Sequence, residues 1–235
     1  MKKAYVLVIA DIHVGGMRTL FPPNYPVKVG PNDEDRQVWP LTIGQKYLYW
    51  CFRQMIRKLP PRFILIINGD PIQGHRDILA TRLCCPDVID QAYACAHLLK
   101  PLVERSTDIY MTYGTKFHNL AYANAEYVLA NEIGADYSYK QDIGVLNKTL
   151  NVVHGHSTVQ DYPSTPLDKE IIQGTVKAAI KQAPHADIII RAHVHPDSWS
   201  PVKRYGKVAF FCPSWMVPDE YLLSLIHISE PTRPY

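Results

Sequence analysis

Five short stretches of the 235-residue chain put carboxylates and imidazoles where apolar runs stop. After "YVLVIA" comes Asp11-Ile12-His13, and after "FILIIN" comes Gly69-Asp70. After "IYMTY" comes "GTKFHN", with His118 and Asn119. After "LNVV" comes His154-Gly155-His156, and after "DIII" comes Arg191-Ala192-His193-Val194-His195. Each stretch alone is weak: Gly-Asp is most often a turn, and a pair of histidines can be a pair of solvated rings. Together they offer oxygen and imidazole donors with no thiolate, a set suited to Mn, Fe or Zn. The donors outnumber the needs of one tetrahedral ion. Two ions sharing a carboxylate would use them all. Such a pair generates hydroxide at neutral pH and clamps both oxygens of an in-line displacement, which is the chemistry of phosphoester hydrolysis.

Something must bring these residues to one place. Alternate residues of a strand face opposite ways, so His193 and His195 reach one site only where the strand ends and turns, and Pro196 supplies that ending. The runs at 4–10, 62–68, 108–114, 149–155, 186–192 and 207–213 are apolar or nearly so, as strands buried on both faces are. Helical periods lie between them. "IGQKYLYWCFRQMIRKL" spaces Leu48, Cys51, Phe52, Met55, Ile56 and Leu59 by three and four, and Pro60-Pro61 stop it. Residues 87–104 and 124–134 repeat the pattern, with Gly134 as a C-cap, and 165–183 opens at Thr165-Pro166. Alternating strands and helices predict an α/β layered fold whose ligands gather at the carboxyl ends of the strands. Residues 138–153 read as two strands with no helix between, which predicts a mixed sheet.

Residues 17–44 hold five prolines and no period, and are expected to form a structureless loop bordering the site. Residues 1–223 read as one domain. The last twelve residues, 224–235, match no element and resemble the peptide obtained when sequencing-adapter DNA is translated in frame, so a non-native tail is expected there. A net charge of +3 is too small to argue for a nucleic-acid surface by itself. No apolar run reaches the roughly 18 residues of a membrane span, so no membrane partner is expected. "MKKAYVLVIAD" reads as a first strand rather than a signal peptide. Five cysteines without a C-x-x-C pair suit reduced, buried thiols and a cytoplasmic location. Among other singled-out residues, His75 and Arg76 could meet a phosphate, and Lys116 and Arg191 flank the motifs. His97 reads as a packed core histidine and His185 as solvent-facing. Trp39, Trp199 and Trp215 read as core anchors or loop staples, with base stacking a second option for Trp39.

The order Asp-x-His, Gly-Asp, Gly-(Asn-His), His and His-x-His resembles that of the calcineurin-like metallophosphoesterases, across residues 11–195. The resemblance implies a four-layer α/β/β/α sandwich of two mixed β-sheets flanked by helices. It also implies two divalent metal ions at the strand ends, Mn being expected and Zn, Fe or Mg the alternatives. Carried over by motif, it implies Asp11, His13 and His195 on the first ion, Asp70 bridging, and His154 and His193 on the second, with His156 near the substrate. One departure is marked. Where the family has Gly-Asn-His, this chain reads Gly114-Thr115-Lys116-Phe117-His118-Asn119, with Thr115 in the Asn position. Three readings stay open: His118 is the general acid on a longer loop, or it ligates the second ion in place of Asn, or the motif is degenerate. Thr115 and Asn119 remain candidate metal or substrate contacts on any of them. The implied activity is attack of a metal-bridging hydroxide on a phosphoester, with His118 protonating the leaving oxygen. A phosphodiester or nucleic-acid-type substrate such as DNA or a nucleotide is expected. The alternatives are a phosphomonoester substrate and a non-catalytic metal-binding scaffold.

Overall fold

The structure, a computed structural model, describes residues 3–75, 82–116, 118, 124–155, 164–194 and 201–217. In chain order its elements are β1 (Val6–Ile9), β2 (Pro26–Lys28), β3 (Arg36–Val38), α1 (Ile43–Lys58), β4 (Phe63–Asn68), α2 (Val88–Val103), β5 (Ser106–Thr112), α3 (Ala125–Ile133), β6 (Asp136–Ser138), β7 (Gln141–Val145), β8 (Lys148–Val152), α4 (Thr165–Ala179), β9 (Ile188–Arg191), β10 (Val202–Arg204) and β11 (Lys207–Phe211). Every apolar run and helical period of the sequence forms its expected element, within a few residues at the ends.

Local chemistry sets the helix ends. Gln45 N–H donates to Thr42 Oγ1 (3.1 Å) and Thr42 N–H donates to Gln45 Oε1 (3.0 Å), a reciprocal cap that starts α1. Gly134, with φ 67°, closes α3 in the left-handed region that a side chain would strain.

One sheet has the order β1-β4-β5-β6 and is parallel throughout. The other has the order β10-β11-β9-β8-β7 and is mixed. The expectation of two mixed sheets therefore holds for one of them, and connection length explains the difference. The first sheet's strands are joined through α1, α2 and α3, and such crossovers return the chain in the same direction. In the second sheet, β7–β8 and β10–β11 are joined by two residues each, which only antiparallel partners accept.

Strand alternation sorts the core into three seams. Phe63, Leu65 and Ile67 of β4 face α1, α2 and α3, together with Phe52, Leu99 and Leu129. Ile66 of β4 faces the other way and packs with Ile143, Leu150, Val152 and Ile190 of the second sheet. Beyond that sheet, Ile189, Ala209 and Phe211 meet Leu167 and Ile171 of α4. The layers run helices, sheet, sheet, helix, the α/β/β/α sandwich that the family resemblance implies.

Several expectations are corrected. Residues 17–44 are not structureless: β2 and β3 pair antiparallel, and Leu20, Phe21 and Val27 are buried in the main core. Asp90 of α2 anchors this hairpin by accepting from Tyr25 Oη (3.0 Å), Lys28 N–H (2.8 Å) and Arg36 Nη1 (3.0 Å). Arg191, beside the His-x-His motif, is buried against Glu170 of α4 (2.5 Å) and Asn151 Oδ1 (2.8 Å), tying α4 to the second sheet. His97 is exposed on α2, its ring 5.7 Å from that of Tyr25. No helix among the described residues is long and apolar enough to cross a membrane.

Ile66 is fully buried between the sheets, whereas Ile43 is 87% exposed. Ile66→Ala is expected to cost about 2–5 kcal/mol in urea unfolding, and Ile43→Ala no more than about 0.5 kcal/mol.

Candidate metal centre

β1 and β4 are parallel neighbours and end on the same edge. Past that edge the chain turns into the left-handed region at Asp11 (φ 49°), His13 (φ 52°) and Asp70 (φ 45°), and past β9 at His193 (φ 74°). Side-chain-bearing residues persist there only where their surroundings hold them. Here the hold is a ladder. Asp11 N–H donates to Gly69 O (3.2 Å), His13 N–H to Asp70 O (3.1 Å), Val14 N–H to Pro71 O (3.0 Å) and Trp215 N–H to Asp11 O (3.0 Å). The result is that Asp11, His13 and Asp70 are buried at 0%, 1% and 0% exposure.

Asp70 is the meeting point. His154 Nε2 lies 2.9 Å from its Oδ2, His118 Nε2 3.9 Å and His193 Nδ1 4.0 Å. Thr115 donates its N–H to Oδ1 (2.7 Å), and its hydroxyl reaches both oxygens at 3.2 and 3.1 Å. Asp11 stands alongside. Its Oδ1 is 3.7 Å from His13 Nε2 and 3.7 Å from His154 Nε2, and its Oδ2 accepts from His193 N–H (3.1 Å). Two donor groups result, each with atoms within 4.8 Å of one another: Asp11, Asp70, His154 and His193, and His13, Asp70 and His118. Asp70 belongs to both. Buried carboxylates ringed by imidazoles fit a hard or borderline divalent cation, and each group could hold one.

Two ring tautomers follow from the neighbours, because a carbonyl oxygen can only accept. His118 Nδ1 is 2.6 Å from Gln73 O, so it carries its hydrogen there and leaves the lone pair at Nε2. His154 Nδ1 likewise donates to Asn68 O (2.7 Å). Burial pushes the Asp70 carboxyl up, but the hydrogen bond and charge of His154 outweigh it and hold Asp70 well below the usual carboxylate range. Burial works against the His154 cation too, yet the hydrogen bond and charge of Asp70 raise that ring to about 9. Burial and the neighbouring His13 push His118 down to about 4.

The structure thus brings together Asp11, His13, Asp70, His118, His154 and His193, with Thr115 joined through Asp70. Their grouping differs in detail from the one the resemblance implies. His118 sits with His13, their ring centroids 4.4 Å apart, rather than with His154 and His193. Asp11 is as near His154 as His13. His75 is half-buried and belongs to neither group. Arg76, Asn119, His156 and His195 lie outside the described residues, as does the 224–235 tail.

Sequence reasoning missed Glu126. This buried carboxyl accepts from Gly114 N–H (3.1 Å) and Tyr137 Oη (2.7 Å), so it seats the loop that carries Thr115. Burial pushes it up to about 7. The available signal was its place on the inner face of α3, in phase with Leu129, Ala130 and Ile133. Gly114 lies between the two carboxylates: a Cβ there would overlap Asp70 Oδ1 and Glu126 Oε1.

No family model matches the sequence, and no curated protein matches it. Among solved structures, a Vps29 variant from Entamoeba histolytica is 16% identical, with 92% of this chain and 78% of that chain covered and a TM-score of 0.44. A predicted phosphoesterase from Streptococcus pneumoniae is 13% identical, covering 93% and 77%, with a TM-score of 0.40. An archaeal phosphodiesterase is 10% identical, covering 89% and 83%, with a TM-score of 0.40.

Below pH 9 the proton on His154 Nε2 occupies the direction a cation must take. Binding of Mn²⁺ at pH 7.5 is therefore expected to release a proton, with affinity rising about tenfold per pH unit towards pH 9. Calorimetry in two buffers of different ionisation enthalpy measures this, and binding without proton release would show that the ion leaves His154 untouched. Gly114→Ala is expected to weaken metal binding by about 10- to 100-fold, the range for a disturbed ligand support.

Proposed function

We propose that the protein is a metal-dependent phosphoesterase with a two-ion centre, Mn²⁺ being the expected metal and a phosphodiester the expected substrate. One observation carries this reading: Asp70, a wholly buried carboxylate, is shared by two separate groups of imidazoles, as a bridging ligand must be. The order of motifs resembling the calcineurin-like metallophosphoesterases supports it. When bound, a pair of divalent ions supplies Lewis-acid charge to a phosphoryl group and makes water acidic enough to attack at neutral pH.

The chain's own residues position that chemistry. Asp70 and Asp11 set the spacing of the two donor groups, since both are locked by the paired turns after β1 and β4. Thr115, in the family's Asn position, directs its N–H and hydroxyl to Asp70 and so fixes the bridging carboxylate. His118 presents a lone pair at Nε2 because Nδ1 is tied to Gln73 O. That geometry favours a ligand or a proton acceptor over the general acid suggested by the sequence. The turns leave little freedom for these groups, so the site is organised before substrate arrives.

The test is hydrolysis of bis-p-nitrophenyl phosphate with added Mn²⁺. The wild type is expected to turn over, and Asp70→Asn to lose about 10²-fold or more. The diester is expected to be cleaved faster than p-nitrophenyl phosphate. Two ions bound per chain with no turnover of either ester would establish the scaffold reading instead.

A further inference from the structure

α1 has an outer face that the fold leaves uncovered. Ile43, Tyr47, Trp50 and the nearby Trp39 are exposed, Trp50 at 57% and Trp39 at 46%. Apolar groups gathered in this way mark a contact surface. The rings of Tyr47 and Trp50 stack, with centroids 6.2 Å apart and planes 24° from parallel. Beside them lies a groove of about 550 Å³ lined by Asn24, Val38, Trp39, Pro40, Lys46 and Tyr49. Lys46, Arg53 and Arg57, with Tyr49 and Trp50 each three or four residues from Lys46 and from Arg53, share one face leading from the groove along the helix.

Charge decides what this face accepts. Between Asp35 and Asp70 the chain has six basic residues and no acidic one; Arg36 is paired with Asp90, which leaves Lys46, Arg53, Arg57, Lys58 and Arg62. Six exceeds the whole chain's excess of +3, so the remainder is net negative. A second copy packed through this face by two-fold symmetry would set like charges against each other. A single-stranded nucleic acid satisfies both features, because its bases stack on aromatic rings and its phosphates meet cations. A duplex keeps its bases hidden.

Position relates the face to the candidate centre. Buried Gln45 donates from Nε2 to Gly16 O (3.0 Å), and Gly16 N–H donates to His13 O (3.3 Å). The start of α1 is therefore one short turn from a candidate ligand, and its 16 residues lead away over about 24 Å.

We propose that the Trp39 groove and the basic, aromatic face of α1 bind single-stranded nucleic acid and guide it to the metal centre. This names the substrate class of the phosphodiesterase reading and rests on that reading for the strand's destination. Binding is tested in EDTA, without turnover, by fluorescence anisotropy of a fluorescein-labelled single-stranded oligothymidylate. The wild type is expected to bind, and to lose about 50-fold between 50 and 200 mM salt, as four phosphate contacts on a single strand require. Trp39→Ala and Trp50→Ala are each expected to weaken binding by about 5- to 100-fold. Arg53→Glu with Arg57→Glu is expected to weaken it at least about tenfold and to halve the salt slope. Wild-type circular dichroism and unfolding midpoints in the variants would show that they fold.

No binding at 50 mM salt, binding that the substitutions leave unchanged, or tighter binding of the same-length duplex would overturn the proposal. So would a dimer in light scattering that Trp50→Ala disperses, or capture by phosphatidylserine vesicles, if either occurs without oligonucleotide binding. Wild-type turnover of bis-p-nitrophenyl phosphate is measured separately. A chain that binds the oligonucleotide but cleaves no ester supports this surface and defeats the phosphoesterase reading; a chain that cleaves the ester but ignores the oligonucleotide does the reverse.

Discussion

Two carboxylates without any exposure, Asp11 and Asp70, lie side by side at the rim of a hydrophobic sandwich. An ionised carboxylate taken out of water costs several kcal/mol unless it is paired and hydrogen-bonded. Everything near the rim answers that demand. Thr115 N–H and hydroxyl, His193 N–H and the His154 ring all donate to these two groups. In this setting the His154 proton acts as a stand-in cation, since it neutralises the charge that a metal ion would neutralise. The demand also explains two glycines. A Cβ on Gly69 would overlap the His154 ring, and one on Gly114 would overlap the Asp70 carboxylate.

The same demand links the rim to the layers beneath. Asp11 follows a strand of the first sheet and His193 a strand of the second, yet they are joined by a hydrogen bond. The sheets must therefore close together at this end. The residues directly before Asp11 and His193 are Ala10 and Ala192, both fully buried in the seam between the sheets. Small side chains there let the two backbones approach. Ala192 N–H donates to His154 O (2.9 Å), so the strand that delivers His193 also sets the segment that delivers His154. The carbonyl of Asp11 and Thr19 of the following segment extend the hold: Trp215 N–H donates to the first, and Thr19 Oγ1 donates to His13 O (2.7 Å).

The sandwich and most of the side chains gathered in the candidate centre were legible in the sequence because both rest on local signals. Buried strands read as apolar runs, helices as three-and-four spacing, and the candidate ligands as polar residues placed where the runs stop. What was not legible depends on contacts distant in sequence. Nothing in "RQVW" tells that Arg36 will find Asp90, so the hairpin at 17–44 read as a loop. Arg191 adjoins a motif and looked functional, but its partner Glu170 lies on a helix across the layer. The partner of His118 was ambiguous because its spacing from Gly114 departs from the Gly-Asn-His pattern. Gln73 O holds the ring in place, and only the folded chain brings it near. Glu126 was hidden by its own regularity, as one polar residue on a helix otherwise read for its apolar face.

The two charged regions of the molecule have opposite characters, and that contrast has a consequence. The rim without metal concentrates carboxylates, while α1 beside it concentrates cations without a single acid. An anionic ligand meeting the metal-free chain would find α1 more favourable than the rim, where two carboxylates outnumber the one His154 proton. Two divalent ions would reverse the sign at the rim and leave α1 as it was. Metal would then act on where a polyanion can go as well as on the chemistry at phosphorus. The short tether between Gln45 and Gly16 keeps the start of α1 in fixed relation to the segment that carries His13.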